Sequence, residues 1–203
     1  GLGYFKEALG LTDPESKGKK ELLIMPCGSM KDPAACAMEA AKRYVGPLWQ
    51  SFNKELGGKE AAKSALDAMG IDIHILSAKH GLIPADTLIE NYDHEMTPER
   101  IREIIGDKTL SETIRDTIKK YDPDKVHLAT GKKYSQLITE VMGREYPTIF
   151  PAGTGQGSQR AVLTDFLKRK KKDVGKKKQE PTGKYYRGGF VDKPLYEQPR
   201  MVG

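Results

Sequence analysis

The sequence predicts an α/β domain with a mostly parallel sheet covered by helices on both faces. Three observations predict this class. Short apolar runs without polar alternation are typical of strands that are buried on both faces. These runs alternate with longer amphipathic segments, as in strand–helix–strand units. Each run is followed by a polar or glycine-containing loop, and ligands of such sheets bind where these loops meet, at the carboxyl ends of the strands.

The individual elements follow from periodicity and turn residues. Predicted strands cover residues 22–25, 71–76, 125–129 and 147–151. Predicted helices cover residues 34–56, 59–69, a segment that starts at Thr97 and Pro98, and residues 110–121, 134–142 and 159–170. Pro47 should interrupt the first of these helices, and Gly70 should cap the second. Residues 82–96 are expected to form a long irregular segment.

Length and charge divide the chain. The 203 residues, of which 37% are hydrophobic, predict one core and therefore one domain. We expect a lead-in over 1–20, the α/β core over 21–167, and a basic, Gly- and Pro-containing tail or linker over 168–203. Residues 168–178 hold eight basic side chains and one acidic one, so the rest of the chain is close to neutral despite the net charge of +6. The tail can bind nucleic acid or act as a solubilising linker, and both interpretations stay open.

Several classes of protein are disfavoured. Cys27 and Cys36 lack the partners of a disulfide framework or a zinc site, and this predicts a reducing compartment. No run of roughly 18 apolar residues and no signal peptide is visible, so we expect a cytoplasmic protein, in the host cytoplasm if the gene is phage-encoded, with no membrane partner. The first residue is Gly and the last six residues resemble a linker, so we expect a segment that was cut from a longer polypeptide or processed. Removal of a tag would leave the same first residue.

Four loops should converge at the carboxyl end of the sheet, namely 26–31, 77–81, 130–134 and 151–158. The last of these resembles an anion cradle, because its glycines let the backbone approach a phosphate. It lacks the Gly-Lys-Ser/Thr ending of nucleotide hydrolases and the position of a dinucleotide fingerprint, so neither activity is expected. A plain turn explains the same glycines.

The segment from Ser77 to Glu95 carries most of the polar chemistry. A Ser–His nucleophile is disfavoured because no G-x-S-x-G elbow surrounds Ser77. Asp93, His94 and Glu95 are consecutive and would point in different directions, so no metal site is expected. A single carboxylate can instead orient a water molecule and stabilise the positive charge that grows on a sugar when an N-glycosidic bond breaks.

Three segments resemble the YaaA peroxide-stress family and its phage and bacterial relatives of unknown function. They are Tyr44-x-Gly46-x-x-Trp49, the stretch ILSAKHGLIPADTLIENYDHEM over 75–96, and LATGKKY over 128–134. The resemblance implies a fold related to uracil-DNA glycosylases, together with DNA binding. Carried onto matching positions, it implies a site of Ser77, Gly81, Tyr92, Met96 and Tyr134, with Cys27 and Ser29 in the loop after the first strand. The chain lacks the Asp-Pro-Tyr-His and His-Pro-Ser loops of true uracil-DNA glycosylases, which leaves catalysis on DNA open.

The leading hypothesis is a nucleic-acid-binding domain, for DNA rather than RNA and without a cofactor. Its enzymatic form is an N-glycosidase that acts on a modified base, in which Asp93 or Glu95 supports the positive sugar and His80 or Lys79 assists the departing base. The expected substrate-binding residues are Cys27, Ser29, Ser77, Gly81, Asn91, Tyr92, Thr130, Tyr134, Gly153 and Gln156. The alternative is a non-catalytic binding or structural module of a larger phage or mobile-element protein. A thiol redox sensor at Cys27 is a third hypothesis.

Overall fold

The fold is taken from a computed structural model that describes residues 20–179. Its strands are β1 (Glu21–Pro26), β2 (Met38–Glu39), β3 (Ile71–Ser77), β4 (Gly81–Pro84), β5 (Leu88–Ile89) and β6 (Val126–Leu128). Its helices are α1 (Ala40–Arg43), α2 (Pro47–Glu55), α3 (Lys59–Met69), α4 (Pro98–Gly106), α5 (Lys108–Ile118), α6 (Lys132–Met142) and α7 (Gln156–Gln179). The predicted lead-in over 1–19 and the end of the tail over 180–203 lie outside the described residues.

A four-stranded sheet in the order β4-β3-β1-β6 forms the centre of the fold. β1 pairs in parallel with both β3 and β6, whereas β4 runs antiparallel to β3 at one edge. Strands β2 and β5 form a separate antiparallel pair. The four residues Leu22 to Met25 of β1 are completely buried, which explains their continuous apolar run. The prediction of an α/β domain with a mostly parallel sheet is therefore confirmed.

The longer helices form two groups. Helices α2, α3 and α7 contact one another, and so do α4, α5 and α6. The chain crosses from β1 to β3 in one direction and from the β3–β4 pair to β6 in the other. Because crossover connections are right-handed, these two directions place the two groups on opposite faces of the sheet.

The long helix predicted over 34–56 is wrong. Within it only α1 and α2 are helical, and residues 32–37 form a loop followed by β2. The buried guanidinium of Arg43 donates to the carbonyl oxygens of Asp32, Ala34 and Cys36 at 2.6–2.8 Å. These carbonyl oxygens therefore accept from Arg43 and not from the backbone N–H groups of a helix. Pro47 starts a new helix at its first position, as the proline geometry allows.

Three further predictions need correction. The segment 82–96 contains β4 and β5 in addition to irregular chain. The segment 147–151 makes a single parallel bridge, between Thr148 and Leu128, and no strand. The last helix runs over Gln156–Gln179 and is therefore longer at both ends than the predicted helix over 159–170.

Other local predictions are confirmed. Gly70 caps α3 in the left-handed conformation, at φ 67°. The Thr97 side chain accepts a hydrogen bond from the backbone N–H of Arg100 and so caps α4. Within residues 20–179, no helix has both the length and the apolar character needed to cross a bilayer.

Candidate functional site

Three tyrosines meet at the carboxyl end of the sheet. The hydroxyl of Tyr92 lies 2.5 Å from that of Tyr44 and 2.8 Å from the hydroxyl of Ser77 at the end of β3. The hydroxyl of Tyr134 donates to the carbonyl oxygen of Cys27 at 3.1 Å and lies 3.4 Å from its sulfur. These five residues, Ser77, Cys27, Tyr44, Tyr92 and Tyr134, are called the tyrosine cluster below.

The hydrogen bonds around Ser77 fix the direction of donation. Its oxygen accepts the backbone N–H groups of Lys79 and His80, at 3.2 and 3.1 Å. Both lone pairs are then occupied, so the Ser77 hydroxyl donates to Tyr92. The completely buried Tyr44 hydroxyl must also donate to Tyr92, because its hydrogen would otherwise have no acceptor. Tyr92 therefore receives two hydrogen bonds, and the Cys27 sulfur, a weak acceptor, is the side-chain partner of its own hydrogen.

The phenols of the cluster stay protonated at neutral pH. Burial, followed by the nearby Cys27 sulfur, raises the pKa of Tyr92 to about 12, against the lowering effect of the hydrogen bonds from Ser77 and Tyr44. Burial is also the main cause that raises the pKa of Tyr44 and the pKa of Tyr134. The cluster consequently offers hydroxyl donors rather than phenolate anions.

Two buried groups hold the loops in position around the cluster. Arg43, which is completely buried, binds the carbonyl oxygens of the loop after β1 and also that of Ile89 in β5, at 3.2 Å. It thus ties the loop after β1 to the segment that carries Tyr92. The indole of Trp49 donates to the carbonyl oxygen of Pro26 at 3.0 Å. Tyr44 and Trp49 themselves belong to the core, since their stacked rings are buried.

Two lysines converge on Tyr92. The ammonium of Lys31 lies 4.6 Å from the centre of the Tyr92 ring, and that of Lys79 lies 5.6 Å from it. In the described part of the chain, neither lysine makes an ion pair with a carboxylate. An isolated bridge between Lys31 and Tyr44 fixes the backbone that carries the first of these ammonium groups. The result is an uncompensated positive charge above the cluster.

Histidine rings border the same tyrosine. The ring of His80 lies edge-on to Tyr92 with 5.3 Å between the ring centres, and exposed His94 lies 6.0 Å away. Burial, together with the charges of Lys79 and His94, lowers the pKa of His80. Its imidazole is therefore neutral at pH 7. The Nε2 atom of His80 is buried and has no partner among the described residues.

The structure brings together a part of the predicted site. Cys27, Ser77, Lys79, His80, Tyr92 and Tyr134 all belong to the cluster or touch it. Thr130 is buried, and its hydroxyl lies 3.0 Å from the hydroxyl of Ser135. This contact within the loop accounts for Thr130 without a ligand. Five other predicted residues are exposed and make no contact with the cluster in the described part of the chain, namely Ser29, Asn91, Asp93, Gly153 and Gln156. Glu95 is also exposed, but its charge is near enough to contribute, after burial and the Cys27 sulfur, to the raised pKa of Tyr134.

Gly81 has a structural explanation. Its φ is +72°, and a Cβ atom there would lie 2.2 Å from the hydroxyl oxygen of Thr113 and 3.0 Å from the carbonyl oxygen of Leu110. Only glycine fits this turn between β3 and β4, because other residues would be strained and would collide with α5.

The sequence did not identify three residues that shape the site, namely Lys31, Arg43 and Arg100. Arg100 donates from α4 to the carbonyl oxygen of Ala78 at 2.6 Å and so fixes the turn after β3. Basic residues in loops and helices carry no local signal for such contacts. Only the pairing of distant segments reveals them.

A partly enclosed cavity lies elsewhere in the described part of the chain. A space of about 320 Å³ is bordered by α2, α3 and the β3–β4 edge, with Phe52, Leu66 and Ile73 among its lining residues. Its walls are mainly apolar, and it contains none of the cluster. We place the candidate site at the cluster because donors, cations and an unpartnered imidazole nitrogen converge there.

Comparisons with known proteins identify a family but no activity. One family, described as a family of unknown function (DUF6884), has a model that matches residues 22–165, and this range includes the cluster and all of the sheet except Glu21. No curated protein and no solved structure matches the chain. The resemblance to the YaaA family and to the uracil-DNA-glycosylase fold stays a prediction.

Proposed function

Because this chain belongs to a family of unknown function (DUF6884), we propose a function from the site itself: the tyrosine cluster binds one nucleotide unit of a nucleic acid. The observation that carries the proposal is the pair of lysines above Tyr92, which lack carboxylate partners. A phosphate group supplies the missing negative charge, and the hydroxyl and imidazole groups below it supply contacts to a base.

The distances set the size of the electrostatic gain from a bound phosphate. Both ammonium groups lie within 5.6 Å of one ring centre, so they are at most about 10 Å apart, roughly one Debye length at 0.1 M salt. At such a separation one bound anion can interact with both ammonium groups. A phosphate about 4 Å from one ammonium gains about 1 kcal/mol in bulk water and more near a protein surface.

The groups beneath the lysines fit a nucleobase edge. The hydrogen of the Tyr92 hydroxyl is not used by Ser77 or Tyr44 and has only the Cys27 sulfur, a weak acceptor, as a side-chain partner. The Nε2 atom of His80 is buried without a partner among the described residues. A base carbonyl or ring nitrogen can accept the first, and a neutral imidazole can accept or donate at the second. The preference for DNA over RNA is supported only by the resemblance stated above.

The test uses short ligands, so that contacts far from the cluster do not contribute. A fluorescent single-stranded DNA of about six nucleotides is titrated into the full chain and into Lys31→Met and Lys79→Met, which keep the length of the side chain. Lys119→Met, at an exposed position next to α5, is the control. Each cluster variant should bind about fivefold more weakly, for a loss of about 1 kcal/mol, and the control should bind like the unchanged chain. Equal affinity of all four proteins would remove the proposal.

Base release is a second candidate function, and it gives a role to the exposed carboxylate of Glu95, whose charge is the smallest of the causes that raise the pKa of Tyr134. In this reaction a water molecule attacks the anomeric carbon, the glycosidic C–N bond breaks, and the base leaves with the bonding electrons and takes up a proton from the solvent. The Glu95 carboxylate would accept the proton of the water and stabilise the positive sugar. The lowered pKa of His80 makes its imidazole a poor proton source at pH 7, so the charge of Lys79 would stabilise the departing base.

Base release is measured on DNA that carries modified bases. Glu95→Gln should abolish release at unchanged affinity, whereas Asp93→Asn, at an exposed position without a contact to the cluster, should leave it intact. Release at the original rate by Glu95→Gln would rule out this mechanism. Binding without any release by the unchanged chain would favour the non-catalytic module.

A further inference from the structure

The second half of α7 carries two kinds of basic residue. Lys168, Arg169, Lys172 and Lys176 are exposed. They lie on the side of the helix opposite to Leu163, Phe166 and Leu167, which are buried against the body. These four cations are called the basic ridge below.

The body neutralises the other lysines of the same segment. Lys170 pairs with Glu21 at the start of β1, and Lys171 pairs with Glu55 at the end of α2, at 2.9 Å. The Glu21 carboxylate also contacts His127 at 2.8 Å. Burial raises the pKa of Glu21, but the hydrogen bonds from Lys170 and His127 outweigh it, so the pKa is lowered overall. These contacts fix the rotation of α7 and direct the ridge away from the body.

The ridge itself has no such partners. Within residues 20–176, where side chains are described, none of its four cations makes an ion pair, although Asp165 and Asp173 lie on the same helix. Lys168, Lys172 and Lys176 are spaced four apart, so like charges follow one another along one row. Each such repetition destabilises a helix by about 0.2–0.5 kcal/mol. The row therefore lowers the stability of α7, and no carboxylate within residues 20–176 forms an ion pair with it.

We propose that the basic ridge binds the phosphate backbone of a nucleic acid, independently of its sequence. The row rises by about 6 Å per step, or about 12 Å from Lys168 to Lys176, so it suits a polymer of charges rather than a single anion. An anionic membrane is a poorer partner, because membrane-surface helices add large apolar side chains to their basic face. Of the described residues, the exposed large hydrophobic ones are Met30 and Leu88, and neither lies on α7.

The ridge and the tyrosine cluster lie at opposite ends of the sheet. Lys170 contacts the first residue of β1, whereas Cys27 follows the last one. At about 3.3 Å per residue, β1 separates them by about 17 Å, so a mononucleotide cannot touch both. This proposal extends the proposed function by naming a polymeric ligand, but the ridge can bind without the cluster.

The experiment compares matched losses of charge in the full chain. Lys168, Lys172 and Lys176 are replaced together by Gln, and the control replaces Lys108, Lys119 and Lys120, which are exposed on or beside α5. Binding of a random duplex of about 20 base pairs is measured by fluorescence anisotropy across a salt series. The ridge variant should bind at least tenfold more weakly at low salt, and its salt slope should fall by about two to three. The control should change less than twofold.

The outcomes separate the ridge from the cluster. The ridge variant should bind the short single strand as before, and the Lys31→Met, Lys79→Met double variant should keep the salt slope on the duplex nearly unchanged. The proposal is overturned if the ridge variant binds the duplex like the original chain, or if both triple variants lose affinity equally. It is also overturned if vesicles of phosphatidylserine bind the chain more tightly than DNA and depend on the ridge.

Discussion

Replacement of Tyr92 by Phe removes the one oxygen on which two buried hydroxyls converge. Ser77 and Tyr44 both donate to it, at 2.8 and 2.5 Å, and both are completely buried. Each hydroxyl left without an acceptor costs about 1–3 kcal/mol. We therefore expect Tyr92→Phe to lower the free energy of unfolding by about 2–4 kcal/mol.

Tyr44→Phe tests the direction of the same hydrogen bonds. It removes a donor, while Tyr92 still receives the bond from Ser77, so the loss should be about 1 kcal/mol. In the double variant, Tyr44→Phe with Tyr92→Phe, there is no Tyr44 hydroxyl that lacks an acceptor. The double variant should then cost less than the sum of the single ones, by about 1–2 kcal/mol.

Urea unfolding, followed by the fluorescence of the single tryptophan, measures these values. Trp49 is a direct probe, because its ring lies 5.8 Å from that of Tyr44. Tyr146→Phe is the control, since that hydroxyl bonds to no side chain in the described residues, and it should be nearly neutral. Additive single effects, or a smaller loss for Tyr92→Phe than for Tyr44→Phe, would refute the assigned direction.

Three other predictions concern the frame of the site. Gly81→Ala should lower the free energy of unfolding by about 2–4 kcal/mol, because the new Cβ would lie 2.2 Å from the hydroxyl oxygen of Thr113. Gly143 has a similar φ and no atom near the position of a Cβ, so Gly143→Ala should lower it by about 1 kcal/mol in the same urea assay. Burial lowers the pKa of His74 from 6.5 to about 4, so the folded state favours the neutral ring. Stability should be full above pH 6.5 and fall by about 3 kcal/mol towards pH 4, and His74→Gln should remove most of this loss; an unchanged pH profile would contradict the assignment. Arg43→Met should cost more than about 3 kcal/mol, because four carbonyl oxygens lose their donor, and a loss below about 1 kcal/mol would show that the loop holds without it.

Local signals explain which parts of the fold could be predicted. Thr97 and Gly70 act through their own backbone neighbourhood, so the start of α4 and the end of α3 were readable from the sequence. The run at β1 was readable because both of its faces are buried. The helix expected over 34–56 was wrong because the long-range contacts of Arg43 override its helical pattern.

The same distinction applies to the site. Ser77 and Tyr92 stand close in sequence beside a strand end and were found, and they are hydrogen-bonded in the structure. Lys31 lies 61 positions before Tyr92, and only the bridge to Tyr44 brings its ammonium to the ring. The lysines were expected to matter in the tail, whereas two of them, Lys170 and Lys171, hold the body together. Sequence patterns do not encode such partners, because they depend on the packing of distant elements.

The central claim is that a nucleotide unit occupies the tyrosine cluster. It is tested most directly by photocrosslinking the full chain to a short single-stranded DNA that carries 5-iododeoxyuridine, followed by mapping of the crosslinked peptide by mass spectrometry. The account predicts crosslinks at His80, Tyr92 or His94, whose rings adjoin one another. These crosslinks should weaken in the Lys31→Met, Lys79→Met double variant. Crosslinks confined to α7, or to surfaces away from the cluster, would contradict it.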